Sequence, residues 1–314
     1  MFIETPLMLI LVGFIILGVG SEAFIRGAVT TVHTLRVPPI LVGLTIISVG
    51  TSAPELTVSL SAALEGEVAI VIGNVIGSNI ANVLLIMGVM ATLRPFVVGD
   101  IHLRRDGGVM LAASLVLLGL AFYGMISFTI GVMLLVALVG YVVYLYYDSR
   151  RKADASITAN AEDGIMRGGL WLGFPMLIIG LAGIIWGADL MVSGGVQFAE
   201  QIGVSSGVIA LSLVAIGTSL PELAVSVTAC LRGQAGLAIG NIIGSNIANI
   251  LLILGASALV TPLVIPPEMF ARDIWVMLAV AVLGIYMIGR GSMNRGTGIC
   301  FLIFYSVYIA ILFG

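Results

Sequence analysis

Charge is scarce in this chain. Lys, Arg, Asp and Glu make up 9% of its 314 residues, where a soluble domain carries roughly 25%. That excludes an ordinary water-exposed surface. With 13 basic residues against 16 acidic ones, it also excludes the basic face that a nucleic-acid partner needs. Cysteine occurs twice, as Cys230 and Cys300, each inside an apolar run, so no disulfide framework is expected. Histidine also occurs twice. His33 and His102 sit near predicted ends of apolar runs and read as surface residues. No HExxH or Ser–His arrangement is present, so an intramembrane protease lacks its residues and the chain is not read as an enzyme. What fills the chain is apolar: 60% of residues, with a mean hydropathy of +1.21. The apolar residues come in runs of about 20, the length of a membrane-crossing helix. Met1 leads almost directly into such a run, with no basic n-region or A-x-A-like site. That run reads as a first spanning helix rather than a cleaved leader.

The chain is a duplication. Glu222 in GTSLPE (217–222) lies 167 residues beyond Glu55 in GTSAPE (50–55). The same offset carries IGNVIGSNIAN (72–82) onto IGNIIGSNIAN (239–249), Gly20 and Glu22 onto Gly187 and Asp189, and Arg105-Asp106 onto Arg272-Asp273. No gap is needed, and about half of the positions in 37–98 match their partners. Two copies follow, 1–147 and 168–314, joined by a linker at 148–167. Each copy reads as five spans, near 6–30, 38–64, 68–92, 107–124 and 126–147, then near 170–197, 205–231, 235–259, 273–290 and 295–313.

Five is odd, so the second copy starts on the opposite side of the membrane. Charge placement agrees. Arg36, Arg94, Arg104, Arg105, Arg150, Arg151, Lys152, Arg167, Arg232, Arg290 and Arg295 fall on one side. Glu4, Glu65, Glu67, Glu200 and Glu268 mark the other, with the single Arg272. By the positive-inside rule the Arg-rich side is cytoplasmic, with both termini outside and the linker inside. The expected fold is an all-α integral membrane protein of ten transmembrane helices, arranged as two inverted-topology five-helix repeats. Such repeats are recurrent in secondary transporters, with substrate sites near the midplane.

The repeated motifs carry the chemistry. A carboxylate at the centre of a membrane helix costs roughly 2.5–3.5 kcal/mol, so Glu55 and Glu222 are expected to face the protein interior. Pro54 has no N–H and clashes with the carbonyl four residues before it, so carbonyls near Ser48 and Gly50 are expected to leave the helical ladder and serve as oxygen donors. Thr51 stands four residues from Glu55, and Ser52, Glu55 and Ser59 form one stripe. On the next span Asn74, Ser78 and Asn82 form another, with Gly73 and Gly77 allowing close approach. The second copy supplies Thr218, Ser219, Glu222 and Ser226, then Asn241, Ser245 and Asn249. An inverted two-fold brings both glutamates to one place. Neither motif contains His, Cys or Met. Oxygen-only donors suit Ca²⁺, Mg²⁺ or Na⁺ rather than zinc or copper. Two carboxylates balance one divalent ion, or monovalent ions, or protons. A lone intramembrane Ser or Asn is usually a helix–helix hydrogen bond, and two ten-residue polar motifs repeated almost letter for letter are a different case. Asn79 and Asn246 fall off the main stripe and read as packing. Glu22 and Asp189 read as structural hydrogen-bonding or interface positions, and the linker charges as a solvated loop.

GTSAPE with GNVIGSNIAN, and GTSLPE with GNIIGSNIAN, resemble the α-repeats of the calcium/cation antiporter superfamily, most closely its prokaryotic sodium/calcium exchanger branch. The resemblance covers both halves, with α-repeat motifs at 41–92 and 208–259. It implies that Glu55 and Glu222 are central Ca²⁺ ligands, completed by Asn82 and Asn249. It implies that Thr51, Ser52, Ser78, Thr218, Ser219 and Ser245 line flanking Na⁺ sites, with backbone oxygens of Ser48 and Ala215. The first and sixth spans would be a sliding gate. Many prokaryotic members have Asp where this chain has Asn249, so the centre here holds two carboxylates instead of three. The proton-coupled branch carries an acidic residue after the GN pair, where this chain has Gly77-Ser78, which favours sodium.

The expected function is secondary antiport, Ca²⁺ outward for Na⁺ inward, by alternating access in a plasma membrane. Proton/Ca²⁺ antiport, or antiport of another divalent cation, is the alternative, and a passive cation channel is the competing class. Channels usually surround a pore by rotational symmetry, whereas a buried inverted pair suits occlusion. The expected partners are Ca²⁺, Na⁺ and the lipid bilayer, with no cofactor and no obligate protein partner, the monomer being the working unit.

Overall fold

A computed structural model describes residues 4–35, 39–97, 102–152, 169–202 and 215–313. Arg36, residues 153–167 of the expected linker and residues 205–214 of the expected span near 205–231 lie outside the described residues. Eight of the described helices are long and apolar enough to cross a membrane. They are Thr5–Val32, Val68–Leu93, Arg105–Tyr123, Phe128–Asp148, Trp171–Gln201, Ala235–Val260, Met269–Gly289 and Arg295–Leu312. The sequence predicts ten crossings. The difference falls on the two stretches that carry Pro54 and Pro221: each is broken, and the second is described only from residue 215 onward.

The first of these consists of Pro39–Val42, a π-helical turn Gly43–Ile47, Ser48–Thr51 and Ala53–Glu65. Its break is at Ser52, where φ −80° and ψ 8° leave the helical region. Pro54 then stands in the first turn of the following helix, where a missing N–H leaves no intrahelical bond unmade. The second copy repeats this: Ala215–Thr218, a break at Ser219 (φ −87°, ψ 2°), and Leu220–Leu231 with Pro221 in its first turn.

Contacts repeat under the same 167-residue offset. Strand β1 (Phe96–Val97) pairs antiparallel with β4 (Ser292–Met293), and β2 (Met125–Ile126) with β3 (Leu263–Val264). Phe96 faces Met293 while Ile126 faces Leu263, so each ladder is the image of the other. Arg105 pairs with Asp106, which accepts from the Tyr141 hydroxyl at 3.2 Å. Arg272 pairs with Asp273, which accepts from Tyr308 at 3.4 Å. The turns after Tyr123 and after Arg290 use Gly124 and Gly291 at φ 87° and 79°, a left-handed conformation that a side chain disfavours.

The first helix, Glu4–Leu35, lies antiparallel along Leu170–Gln201. Gly13 faces Gly187, Gly20 faces Gly180 and Ile184, and Gly27 faces Gly173, so the register runs in opposite directions. These two helices are counterparts in the two copies.

Burial sorts the helices into a centre and a periphery. The apolar stretch of Ala235–Val260 is 94% buried and that of Val68–Leu93 72%, against 11% for Arg295–Leu312. The two most buried helices carry the Asn–Ser motifs. The outer ones expose Val136, Val139, Ile303 and Val307, side chains suited to acyl chains. The chain is an integral membrane protein.

Candidate functional site

The two broken stretches meet. Ser52, at one break, donates from Oγ to Glu222 Oε1 at 2.9 Å. Ser219, at the other, donates to Glu55 Oε1 at 3.5 Å. Each glutamate therefore lies beside the opposite copy's break, and both are 1% exposed. The carboxylates lie within repelling range of one another. The break explains the placement: it frees the turn before each proline from helical geometry, so a short hydroxyl reaches across the interface. Thr51 and Ser245 also lie beside the Glu222 carboxylate, and Thr51 donates to Asn241 Oδ1 at 3.2 Å.

The helices carrying the asparagines supply the next layer. Asn74 Nδ2 donates to the Glu55 carbonyl at 3.1 Å and to Ser59 Oγ at 2.9 Å, and Asn241 Nδ2 donates to Ser226 Oγ at 3.0 Å. These bonds pin the helix of each glutamate to its neighbour. Asn82 and Asn249 each open a π-helical turn, Asn82–Ile86 and Asn249–Ile253. Such turns often mark functional sites because they rotate a side chain off the regular helical stripe.

Four buried acceptors decide what the arrangement can do. Among the described residues, Glu55 Oε2, Glu222 Oε2, Asn82 Oδ1 and Asn249 Oδ1 have no hydrogen-bond partner. Their other ends are committed. Asn82 Nδ2 donates to Asn246 Oδ1 at 2.9 Å, and Asn249 Nδ2 to Asn79 Oδ1 at 3.0 Å. An orphaned buried oxygen is costly, and four of them in two-fold related pairs form a set of hard donors for a cation. Among the described residues, no Lys or Arg is buried to neutralise the carboxylates internally.

The remaining predicted residues fall in the same core. Ser78, Thr218, Ser219 and Ser245 are buried, and Ser78 Oγ approaches Asn74 Oδ1 at 3.5 Å. Ser48 is buried, but its carbonyl is not free of the ladder as expected. It accepts the Ser52 N–H at 3.0 Å, because the chain breaks only at Ser52. Ala215 opens the short helix Ala215–Thr218. Close helix approach occurs at Gly244, where an added Cβ would meet Leu44 Cα at 2.8 Å. At Gly73 it would meet only the Met269 methyl, and at Gly77 it would meet nothing among the described residues within 4 Å.

Comparison with known proteins gives the geometry a family. The family model described as "Sodium/calcium exchanger protein" matches residues 5–147 and again 172–314. The chain belongs to the sodium/calcium exchanger family. It is 33% identical to the sodium/calcium exchanger MaX1 of Methanosarcina acetivorans, with 99% of each chain covered. It is 34% identical to the inner membrane protein YrbG of Escherichia coli K12, covering 97% of this chain and 96% of that one. Among solved structures it is similar to the sodium-calcium exchanger NCX_Mj soaked with zero Na⁺ and Ca²⁺, with 31% identity, TM-score 0.85 and 99% of each chain covered. Exchangers of this family are transporters, so the buried oxygens belong to a cation antiporter rather than to a catalytic centre.

Two features of this exchanger were not legible in the sequence. Asn79 and Asn246, expected to serve packing, instead accept from the amides of Asn249 and Asn82 and so turn those oxygens away from each other's nitrogens. Asn246 also donates to the Asn79 carbonyl, and Asn79 to the Asn246 carbonyl, each at 3.4 Å. The only signal was a third asparagine within a motif repeated in both copies. The second feature is an ion-pair cluster. Glu22 accepts from Arg26 at 2.5 Å and from Arg232 Nε at 2.6 Å. The cluster lines a cavity of about 510 Å³ with Gln234 and Thr228. A hydrogen-bonding or interface position was expected for Glu22, but its partners Arg26 and Arg232 were not.

Proposed function

We propose that this protein is a secondary antiporter that exports Ca²⁺ in exchange for inward Na⁺ by alternating access. The reading rests on one observation: four buried, partnerless oxygens in two-fold related pairs, two from carboxylates and two from amides. Ca²⁺ takes six to eight oxygen ligands, carboxylates and amide carbonyls among them. Glu55, Glu222, Asn82 and Asn249 hold Ca²⁺. Thr51, Ser52, Ser78, Thr218, Ser219 and Ser245, with the carbonyls of Ser48 and Ala215, complete the Na⁺ positions around it. Ten spans form two inverted repeats, 1–147 and 168–314. Both termini lie outside and the linker 148–167 lies in the cytoplasm. One chain forms the whole transport unit, because both glutamates come from it.

The similarity to MaX1 and NCX_Mj, both named as sodium–calcium exchangers, supports this reading. The test is ⁴⁵Ca²⁺ uptake into proteoliposomes loaded with Na⁺, set against vesicles carrying only a proton gradient. Uptake that follows the Na⁺ gradient at clamped pH is the expected result, and uptake driven only by protons would replace Na⁺ as the coupling ion. Glu55→Gln and Glu222→Gln should each reduce exchange at least about 100-fold, since each takes a carboxylate from a buried cation and losing one partner of a buried charge pair costs about 3–5 kcal/mol. Full activity in either variant would remove that residue from the site.

A further inference from the structure

Outside the ion site the two copies differ in charge at one helix contact. Glu22 stands on the first helix, and Arg232 directly follows Leu220–Leu231, the helix that carries Glu222. Arg232 Nε donates to Glu22 Oε2 at 2.6 Å, and its Nη2 pairs with Glu22 Oε1. The bond spans the cavity of about 510 Å³, which Ile25 and Val29 of the first helix and Thr228 and Leu231 also line. Under the 167-residue offset Glu22 becomes Asp189 and Arg232 becomes Glu65. Both of these are acidic and exposed, so they repel where the first pair attracts. Arg26, which donates to Glu22 at 2.5 Å, becomes Ser193. The packing differs in the same sense. The first helix packs on Leu220–Leu231, whereas its counterpart Leu170–Gln201 makes no comparable contact with Ala53–Glu65 among the described residues.

Two copies of one fold can exchange their conformations. The exchange parts Glu22 from Arg232 at one end of the molecule and brings Leu170–Gln201 onto Ala53–Glu65 at the other. Contacts made by identical residues in the two copies contribute equally to both states, so the contacts that are not matched set the balance between them. We propose that the Glu22–Arg232 ion pair is a one-sided latch. It holds the first helix on the second copy's glutamate helix and favours the state closed on the Arg-rich side. Asp189 and Glu65 work in the same direction, because they repel when the opposite side closes. Arg26 travels with Glu22 on the same helix, so it steadies the carboxylate without joining the copies. The inference rests on the alternating-access reading and on its topology, which puts the latch at the cytoplasmic end.

The test reads the latch in the full-length protein without ion flux. Ile25 is 1% exposed and lines the cavity that the ion pair spans, so it is uncovered when the first helix leaves Leu220–Leu231. In a background lacking Cys230 and Cys300, Ile25→Cys is labelled with an impermeant maleimide in inside-out membrane vesicles. Glu22→Gln and Arg232→Gln should each speed labelling about two- to five-fold, the range of a partly exposed ion pair. The double variant should go no further than either single one. Glu65→Arg gives Asp189 the partner it lacks at the other end of the molecule. It should also speed labelling of residue 25, and adding Asp189→Asn should cancel that gain. Loosening of the packing around Ile25 cannot produce an effect from the opposite side. Parent-like rates in Glu22→Gln and Arg232→Gln would overturn the latch, and so would a parent-like rate in Glu65→Arg. If labelling in those variants still changes when Na⁺ is replaced by Ca²⁺, alternating access stands and only the latch falls. Rates indifferent to both ions and to every variant would overturn the alternating-access reading as well.

Discussion

At the residue scale the asparagines divide the labour in a way that can be measured. Asn82 and Asn249 present partnerless oxygens only because their nitrogens are occupied by Asn246 and Asn79 across the copy boundary, at 2.9 and 3.0 Å. An amide without that partner is free to turn its nitrogen toward the cation and repel it. Residues that orient a metal ligand typically account for 10–100-fold in affinity. Asn79→Ala and Asn246→Ala should therefore each raise the Ca²⁺ concentration for half-maximal exchange by about 10–100-fold, with the maximal rate falling less. Isotope flux across a Ca²⁺ titration checks this, and an unchanged midpoint would return both residues to plain packing. The glutamates, serines and Asn82-type residues are legible in the sequence, because polar side chains stand at helical spacing inside apolar runs and then recur. The orienting role of Asn79 and Asn246 is not, because its partner lies on the other copy and no periodicity along one helix encodes a contact between two.

At the scale of elements, the first helix of each copy shapes the molecule through its close contact with the other. Glu4–Leu35 and Leu170–Gln201 approach so closely that a Cβ added at Gly20 would meet Ile184 N at 2.8 Å, and one at Gly187 would meet the Gly13 carbonyl at 2.8 Å. The seven-residue spacing of Gly13, Gly20 and Gly27 is plain in the sequence. Spacing alone does not say which helix lies opposite, and here it is the counterpart helix running the other way. With backbone on the opposing side there is no flexible side chain to yield. Gly20→Leu should be overpacked by about 1–3 kcal/mol or more. Gly18, on the same helix, has nothing within 4 Å of its added Cβ, so Gly18→Ala should be neutral or slightly stabilising. Thermal unfolding of both variants in detergent separates the two: a Gly20→Leu melting curve like that of the parent would mean these helices are not in close contact. The sequence also marks where the long helices break but places the freed carbonyls too early. Proline's clash points to Gly50, whereas the chain turns at Ser52 and keeps the Ser48 carbonyl bonded.

At the scale of the whole molecule the duplication is the most legible feature, since a constant offset needs no structural knowledge to find. The sense in which the copies are related takes more. The antiparallel register of the first helix of each copy, Gly13 on Gly187 and Gly27 on Gly173, reverses their direction. If the copies are inverted across the membrane, any two loop positions separated by the offset must lie on opposite sides. Glu67 and Gln234 are such a pair, each next to a left-handed glycine turn, Gly66 at φ 81° and Gly233 at φ 77°. Both sit between a broken helix and the asparagine helix that follows it. In a background lacking Cys230 and Cys300, a cysteine at 67 should react with an impermeant maleimide added to intact cells. A cysteine at 234 should react only after the membrane is opened, because the positive-inside rule, applied to Arg232 and the Arg-rich loops, predicts that end in the cytoplasm. Labelling of both from the same side would mean parallel repeats, in which the first helices of the two copies would run in the same direction. The reversed register of these helices, Gly13 on Gly187 and Gly27 on Gly173, is incompatible with that.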